Sequence, residues 1–237
     1  IFGIKDYFNR TGFKKAIIGL SGGIDSAVVA ALAVEALGKD NVQGILMPSE
    51  FSSSHSVDDA IALSENLEIF HETLPIKNTY DSFLETLNPL FKDLPFNVAE
   101  ENLQARIRGT LLMAVANKFN AIVLNTSNKS EALVGYGTLY GDLVGSIGVI
   151  EDLYKTEVYE LAHFINRNKK IIPTHILEKA PSAELHPDQK DSDSLPPYDV
   201  LDNILREFVE HRHSKSEIIA MGYDEHAVNH TIDLLYA

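Results

Sequence analysis

The feature that most constrains this chain is an apolar run, Ala16–Leu20, that passes through a glycine-bearing turn into a second apolar stretch, Asp25–Leu37. The run is short enough to be a strand. It lacks polar alternation, so it predicts a strand covered on both faces, as in a parallel sheet. The second stretch has helical length and is apolar nearly all round, and Gly38 ends it. Such a helix packs in a core. Strand, tight turn and buried helix, in that order, open a βαβ unit.

The pattern continues along the chain. Val42–Met47, Ile69–Leu74 and Ala121–Thr126 read as further strands. Val57, Ala60, Ile61 and Leu67 mark an amphipathic helix, and Tyr80–Phe91, Ala99–Phe119 and Glu157–Arg167 read as three more. Leu103, Ile107, Leu111 and Val115 are the expected apolar face of the second of these. Ile1–Arg10 reads as a helix closed by Gly12. The expected fold class is α/β, a parallel sheet with helices on both faces in the Rossmann-like manner, spanning 1–237 as one domain. The proline- and charge-rich segment Ala180–Pro197 reads as a long mobile loop. C-terminal helices follow. Val200, Leu201, Ile204, Leu205 and Phe208 form one stripe, Ser214 and Glu217 a capping box, and Val228, Ile232 and Leu235 a last face.

Composition narrows the function. With 20 Lys and Arg against 34 Asp and Glu, the net charge is −14. A nucleic-acid footprint needs clustered cations, so no nucleic-acid partner is expected. An anionic small ligand remains compatible, because a few local cations and a metal suffice. The chain has no cysteine, which removes thiol catalysis and thiolate metal sites and fits a cytoplasmic location. No apolar run approaches the roughly 20 residues of a membrane span. His175, His186, His211, His213, His226 and His230 read as surface or packing residues without carboxylate company.

The chemistry concentrates at Gly19-Leu20-Ser21-Gly22-Gly23-Ile24-Asp25-Ser26, between a strand and a helix. Gly22 and Gly23 let backbone N–H groups turn toward an anion, Ser21 and Ser26 add hydroxyls, and the helix start adds partial positive charge. It is a phosphate cradle, but no Lys follows the glycines as in a Walker A loop. A carboxylate beside a phosphate is repelled unless a cation lies between them, so Asp25 points to Mg²⁺. The competing reading is a plain glycine turn with Asp25 as a helix cap.

This octet resembles the pyrophosphate loop of the ATP-pyrophosphatase superfamily. Glu100-Glu101-Asn102-Leu103-Gln104-Ala105-Arg106-Ile107-Arg108, Leu124-Asn125-Thr126-Ser127-Asn128-Lys129-Ser130-Glu131, Gly135-Tyr136-Gly137-Thr138-Leu139-Tyr140-Gly141-Asp142 and Lys155 together resemble the NAD synthetases. The resemblance implies an adenine nucleotide alpha hydrolase-like fold in which Gly19–Ser26, Thr126, Lys155 and Ser182 bind ATP. It implies that Asp25 and Glu131 hold Mg²⁺, and that Asn102, Arg106, Glu131 and Asp142 bind deamido-NAD. Asp25, Glu131 and Lys155 would be catalytic. One departure is visible. Ammonia-dependent members usually carry Arg before the Leu-Pro after the second strand, and here Leu46-Met47-Pro48 has none. Basic residues the family carries near its C-terminus are also missing.

The implied reaction is ATP-dependent amidation of deamido-NAD by ammonia to NAD, through an acyl-adenylate, with release of AMP and pyrophosphate. Another amide ligase of the same superfamily, or a non-catalytic nucleotide-binding module, is the alternative reading. A tRNA sulfur transferase would need cysteines and a basic face. The resemblance also implies a homodimer. Four segments beginning at Met47, Gly135, Glu184 and Asp193 resemble the synthetase half of glutamine-dependent enzymes. With the start at Ile1 inside a helix, they lead to the expectation of a longer polypeptide carrying an N-terminal amidase (glutaminase) domain.

Overall fold

The structure, a computed structural model, describes residues 1–92 and 94–236. Among the described residues five strands form one sheet in the order β3-β2-β1-β4-β5. They are β1 Lys15–Gly19, β2 Val42–Leu46, β3 Phe70–Thr73, β4 Ala121–Asn128 and β5 Ile147–Ile150. Every pairing is parallel. The helices around it are α1 Phe2–Thr11, α2 Ile24–Leu37, α3 Ser54–Asn66, α4 Lys77–Phe91, α5 Val98–Phe119, α6 Lys129–Leu133, α7 Lys155–Ile165 and α8 Thr174–Glu178. Then come α9 Tyr198–Leu205, α10 Lys215–Ala220 and α11 Glu225–Tyr236. No helix among the described residues is long and apolar enough to cross a membrane.

The side-chain alternation of β1 divides the core. Ile17 faces one layer with Ile45, Tyr80, Ile107 and Leu112, so α4 and α5 cover that side. Ala16 and Ile18 face the other with Ile4, Phe8, Val28, Leu63 and Val158, from α1, α2, α3 and α7. Both faces of the sheet are therefore covered, which is what a run without polar alternation requires. α2 carries eight buried residues. Of these, Ile24, Val28 and Val29 each contribute about 1.5–3 kcal/mol on full burial, so this helix, and the turn that enters it, are firmly placed.

Two details depart from the sequence reading. A fifth strand, β5 (Ile147–Ile150), joins the four that the sequence indicates and pairs beyond β4, with a register irregularity between Asn125 and Asn128. On α5 the buried positions are Gln104, Ala105, Ile107, Gly109, Leu112 and Ala116, whereas Leu103, Leu111 and Val115 are only partly buried. The inward face is thus rotated about one residue from the predicted stripe.

The chain leaves β1 toward β2 on one side, and β4 leads to β5 on the other, so the sheet order reverses between β1 and β4. Ligands of open α/β sheets sit at the carboxyl ends of such a strand pair. The C-terminal helices close this end from the side. Leu201 and Leu205 of α9 pack with Val134, Tyr154 and Leu195. Ile204 packs with Ile218, Val228 and Ile232.

Candidate active site

The glycine turn leaves β1 as Leu20 N–H donates to the Ile45 carbonyl at 2.9 Å. Gly22 has φ +78°, and a Cβ there would fall 2.2 Å from the Ser56 carbonyl oxygen. Only glycine fits so close to another backbone. Gly23 N–H donates to Ser21 Oγ at 3.1 Å, and Ser26 Oγ donates to the Gly23 carbonyl at 3.1 Å. No side chain caps the start of α2. Its first N–H groups have no intrahelical partner and face the cleft end of the sheet, a ready anion site.

At the mouth of this turn three charged side chains meet. Lys155 Nζ donates to Asp25 Oδ2 at 2.6 Å and to Glu131 Oε1 at 3.0 Å. The lysine side chain is 3% exposed and each carboxylate 18%. Burial pushes the Glu131 carboxyl up to about 7, Lys155 opposes the rise and the Asp25 charge adds to it. Burial works against the Lys155 charge, but the two carboxylates outweigh it and raise its pKa. With all three ionised the cluster carries one net negative charge and can accept a further cation. Asn128 Nδ2 donates to Asp25 Oδ1 at 2.9 Å, and Glu131 N–H donates to Asn128 Oδ1 at 3.0 Å. One amide thereby orients the Asp25 carboxylate and caps the helix that carries Glu131.

Asp202 supports this trio from α9. It is 1% exposed. Ser130 Oγ donates to its Oδ1 at 2.5 Å and Thr156 N–H donates to its Oδ2 at 2.8 Å. Lys155 N–H in turn donates to Ser130 Oγ at 2.8 Å. A single buried carboxylate thus pins the first turns of α6 and α7, which carry Glu131 and Lys155.

The trio and the glycine turn line a cleft of about 290 Å³ together with Thr126, Ser182, Asp142, Arg108 and Lys179. Arg108 Nε donates to the Met47 carbonyl at 3.0 Å, and burial lowers its pKa to about 10. The Ala180–Pro197 segment is irregular apart from a 3-10 turn at Asp191–Asp193. It is nonetheless held down. Ser53 and Ser56 hydroxyls donate to Glu184 Oε1 at 2.9 and 2.7 Å, and Gln104 Nε2 donates to the Leu185 carbonyl at 2.8 Å. Tyr136 and Tyr198 hydroxyls both donate to the buried Asp191, at 3.1 and 2.8 Å.

A family model described as NAD synthase matches residues 2–236. The chain belongs to the NAD synthase family. A glutamine-dependent NAD(+) synthetase of Synechocystis is 57% identical over 228 residues, 96% of this chain and 41% of that protein. A glutamine-dependent NAD+ synthetase from Acinetobacter baumannii, solved with ADP, superposes with TM-score 0.73 at 43% identity, covering 98% of this chain and 42% of that one. An NMN synthetase from Francisella tularensis superposes with TM-score 0.83 at 31% identity, covering 98% and 88%. The chain spans about two fifths of the length of the curated relatives it matches.

Within this NAD synthase fold the sequence-predicted residues fall into two groups. Gly19, Leu20, Ser21, Gly23, Ile24, Asp25, Ser26, Thr126, Glu131, Asp142, Lys155 and Ser182 all line the cleft. Gly22 belongs to the same turn but packs against Ser56. Asn102 and Arg106 lie outside the lining. Thr138 Oγ1 donates to Asn102 Oδ1 at 2.7 Å, and the exposed Arg106 donates through Nε to the Leu139 carbonyl at 3.2 Å. Sequence reasoning passed over Arg108, Asp202, Asp191 and Lys179. Arg108 ends the ENLQARIR segment and lines the cleft, while Arg106 stays exposed. The histidine reading needs correction, because Glu207 lies against both His211 and His213.

Proposed function

We propose that this chain amidates deamido-NAD with ammonia at the expense of ATP, giving NAD, AMP and pyrophosphate. The observation that carries the reading is the buried Lys155 bridging Asp25 and Glu131 at the glycine turn. It combines an anion cradle, two carboxylates for a hard cation and one fixed ammonium. The ADP bound to the Acinetobacter baumannii relative supports an adenine nucleotide in this cleft.

In the proposed reaction a carboxylate oxygen of the nicotinate attacks the α-phosphorus of ATP. The bond to the bridging oxygen breaks, and pyrophosphate leaves with its electron pair. Ammonia then attacks the acyl carbon, AMP leaves and a proton is lost. No protein nucleophile takes part. The chain aligns two anions and balances the charge on the leaving group. The N–H groups of the glycine turn and Ser21 cradle the phosphates, while Lys155 and Arg108 supply fixed positive charge. Asp25 and Glu131 fit Mg²⁺ by donor type, since that ion is held through one or two carboxylates plus substrate phosphates. When bound it would neutralise developing charge on the pyrophosphate. The segment held by Glu184 and Asp191 borders the cleft and would exclude water from the adenylate.

The dinucleotide would run from Asp142 toward the face of α5 that carries Asn102 and Arg106. Exposed Phe83, Leu90, Val98, Met113 and Phe119 on α4 and α5 support a second copy of the chain against this side. The longer relatives support an additional N-terminal domain that delivers ammonia from glutamine, a thiol chemistry for which this cysteine-free chain has no nucleophile. Pyrophosphate release measured with ATP alone, deamido-NAD alone and both together tests the reading. Release only with both supports it. Release with ATP and nicotinate mononucleotide instead would move the substrate toward that of the NMN synthetase relative.

A further inference from the structure

Away from the cleft, the chain after α9 continues as a π-helical stretch, Arg206–Glu210. His211 N–H donates to the Arg206 carbonyl at 3.1 Å and His213 N–H to the Glu207 carbonyl at 3.0 Å. Arg212 between them takes a left-handed φ of 61°, uncommon for a residue with a side chain. The outcome is that two histidines close on one carboxylate. His211 Nδ1 lies 3.0 Å and His213 Nδ1 2.8 Å from Glu207 Oε2. Ligand atoms of all three residues fall within 4.8 Å of one another.

We propose that Glu207, His211 and His213 form a binding site for a borderline divalent cation of the zinc class, separate from the nucleotide cleft. Two imidazoles and one carboxylate are the donor set of three-ligand zinc sites, and imidazole selects Zn²⁺, Co²⁺ or Ni²⁺ over Mg²⁺. With metal–ligand bonds of about 2.0–2.1 Å, the ligands of a tetrahedral ion lie roughly 3.4 Å apart. The two carboxylate–imidazole separations are already shorter than that, so a small opening of the trio admits the ion. Exposures of 22% for Glu207, 52% for His211 and 36% for His213 leave room for water to complete the shell. A chain of net charge −14 favours a cation.

The site has a structural consequence. Arg206 donates to Glu157 Oε1 at 3.1 Å, and Glu210 accepts from Lys129 and from Tyr154 OH. The stretch is therefore tied to the first turns of α6 and α7. A cation closing on Glu207, His211 and His213 would fix this turn and stabilise the fold by mass action.

Titration of the full protein with Co²⁺ under excess Mg²⁺, followed by visible absorption, tests the site. Excess Mg²⁺ competes for the all-oxygen donors of the cleft and not for imidazole. One Co²⁺ per chain with a Kd in the micromolar range is expected, displaced by Zn²⁺, with the melting temperature rising on Zn²⁺ addition. Both effects vanish in the His211→Ala/His213→Ala double variant, whose Mg²⁺-supported turnover is unchanged, which shows that it is folded. No Co²⁺ spectrum in the wild type, or the same spectrum and stoichiometry in the double variant, would overturn the assignment.

Discussion

Lys155 and Asp25 are 130 residues apart in the chain, and the ammonium of one donates to the carboxylate of the other at 2.6 Å. The contact joins the start of α7 to the start of α2, two helices that pack on the same face of the sheet. Lys155→Met would leave Asp25 and Glu131 facing each other without their shared cation. Breaking a buried ionic cluster by removing one partner costs about 3–5 kcal/mol. Urea unfolding of the unliganded variant should show a loss of this order, and turnover should fall by at least 10²-fold on the scale of lost charge stabilisation. A denaturation midpoint equal to wild type would contradict the pairing.

Glu131 gives the unliganded protein a pH dependence. Its folded carboxyl is raised from the ordinary 4.5 to about 7, so the folded state holds a proton that the unfolded chain has released. The contribution is fully present below about 4.5 and is lost as pH rises through about 7. The slope in that window reaches at most one proton, about 1.4 kcal/mol per pH unit. Glu131→Gln should flatten that part of the stability–pH curve. An unchanged curve in this variant would exclude Glu131 as its source.

Gly22 and Gly38 provide a matched pair. Both have positive φ, +78° and +83°, but a Cβ on Gly22 meets the Ser56 carbonyl whereas one on Gly38 meets open space. Gly38→Ala should therefore cost only backbone strain, about 1–3 kcal/mol at φ 83° and ψ 148°, and bind ATP normally. Gly22→Ala should displace the turn from α3 and lose most ATP affinity. Calorimetry showing equal ATP affinity in the two variants would refute the close approach as the reason for glycine.

Much of this architecture is legible in the sequence, because burial on both faces leaves its mark locally. The run Ala16–Leu20 announces β1, and the octet at Gly19–Ser26 announces the turn. What is illegible depends on direction and on distant partners. β5 is a short strand interrupted by Gly148, so its four residues make no clear period. The buried face of α5 lies about one residue round from the stripe of Leu103, Ile107, Leu111 and Val115. That small rotation brings Arg108 into the cleft lining and leaves Arg106 exposed. Arg108 reaches the Met47 carbonyl from α5, a contact that no local pattern announces. Asp202 looks like any polar residue of an amphipathic helix until α9 is folded against α6 and α7.

Asp202 should behave as a positioning residue. Asp202→Ala removes the acceptor of both Ser130 Oγ and Thr156 N–H, and a buried unpaired polar group costs about 1–3 kcal/mol. Asp202→Asn keeps the volume and one acceptor oxygen, so it should fold. Its kcat should fall about 10-fold or more, because Glu131 and Lys155 sit on the turns it pins, while KM for ATP changes little. Steady-state kinetics showing a KM effect without a kcat effect would place Asp202 in nucleotide binding instead.

The most direct measurement labels both carboxylate oxygens of the nicotinate of deamido-NAD with oxygen-18 and follows the label during turnover with ATP, Mg²⁺ and ammonium. Attack of that carboxylate on the α-phosphorus predicts one labelled oxygen in the AMP formed per NAD, and none in pyrophosphate. Label appearing in pyrophosphate or orthophosphate, or AMP formed without label, would contradict activation of the carboxylate by adenylation at this site.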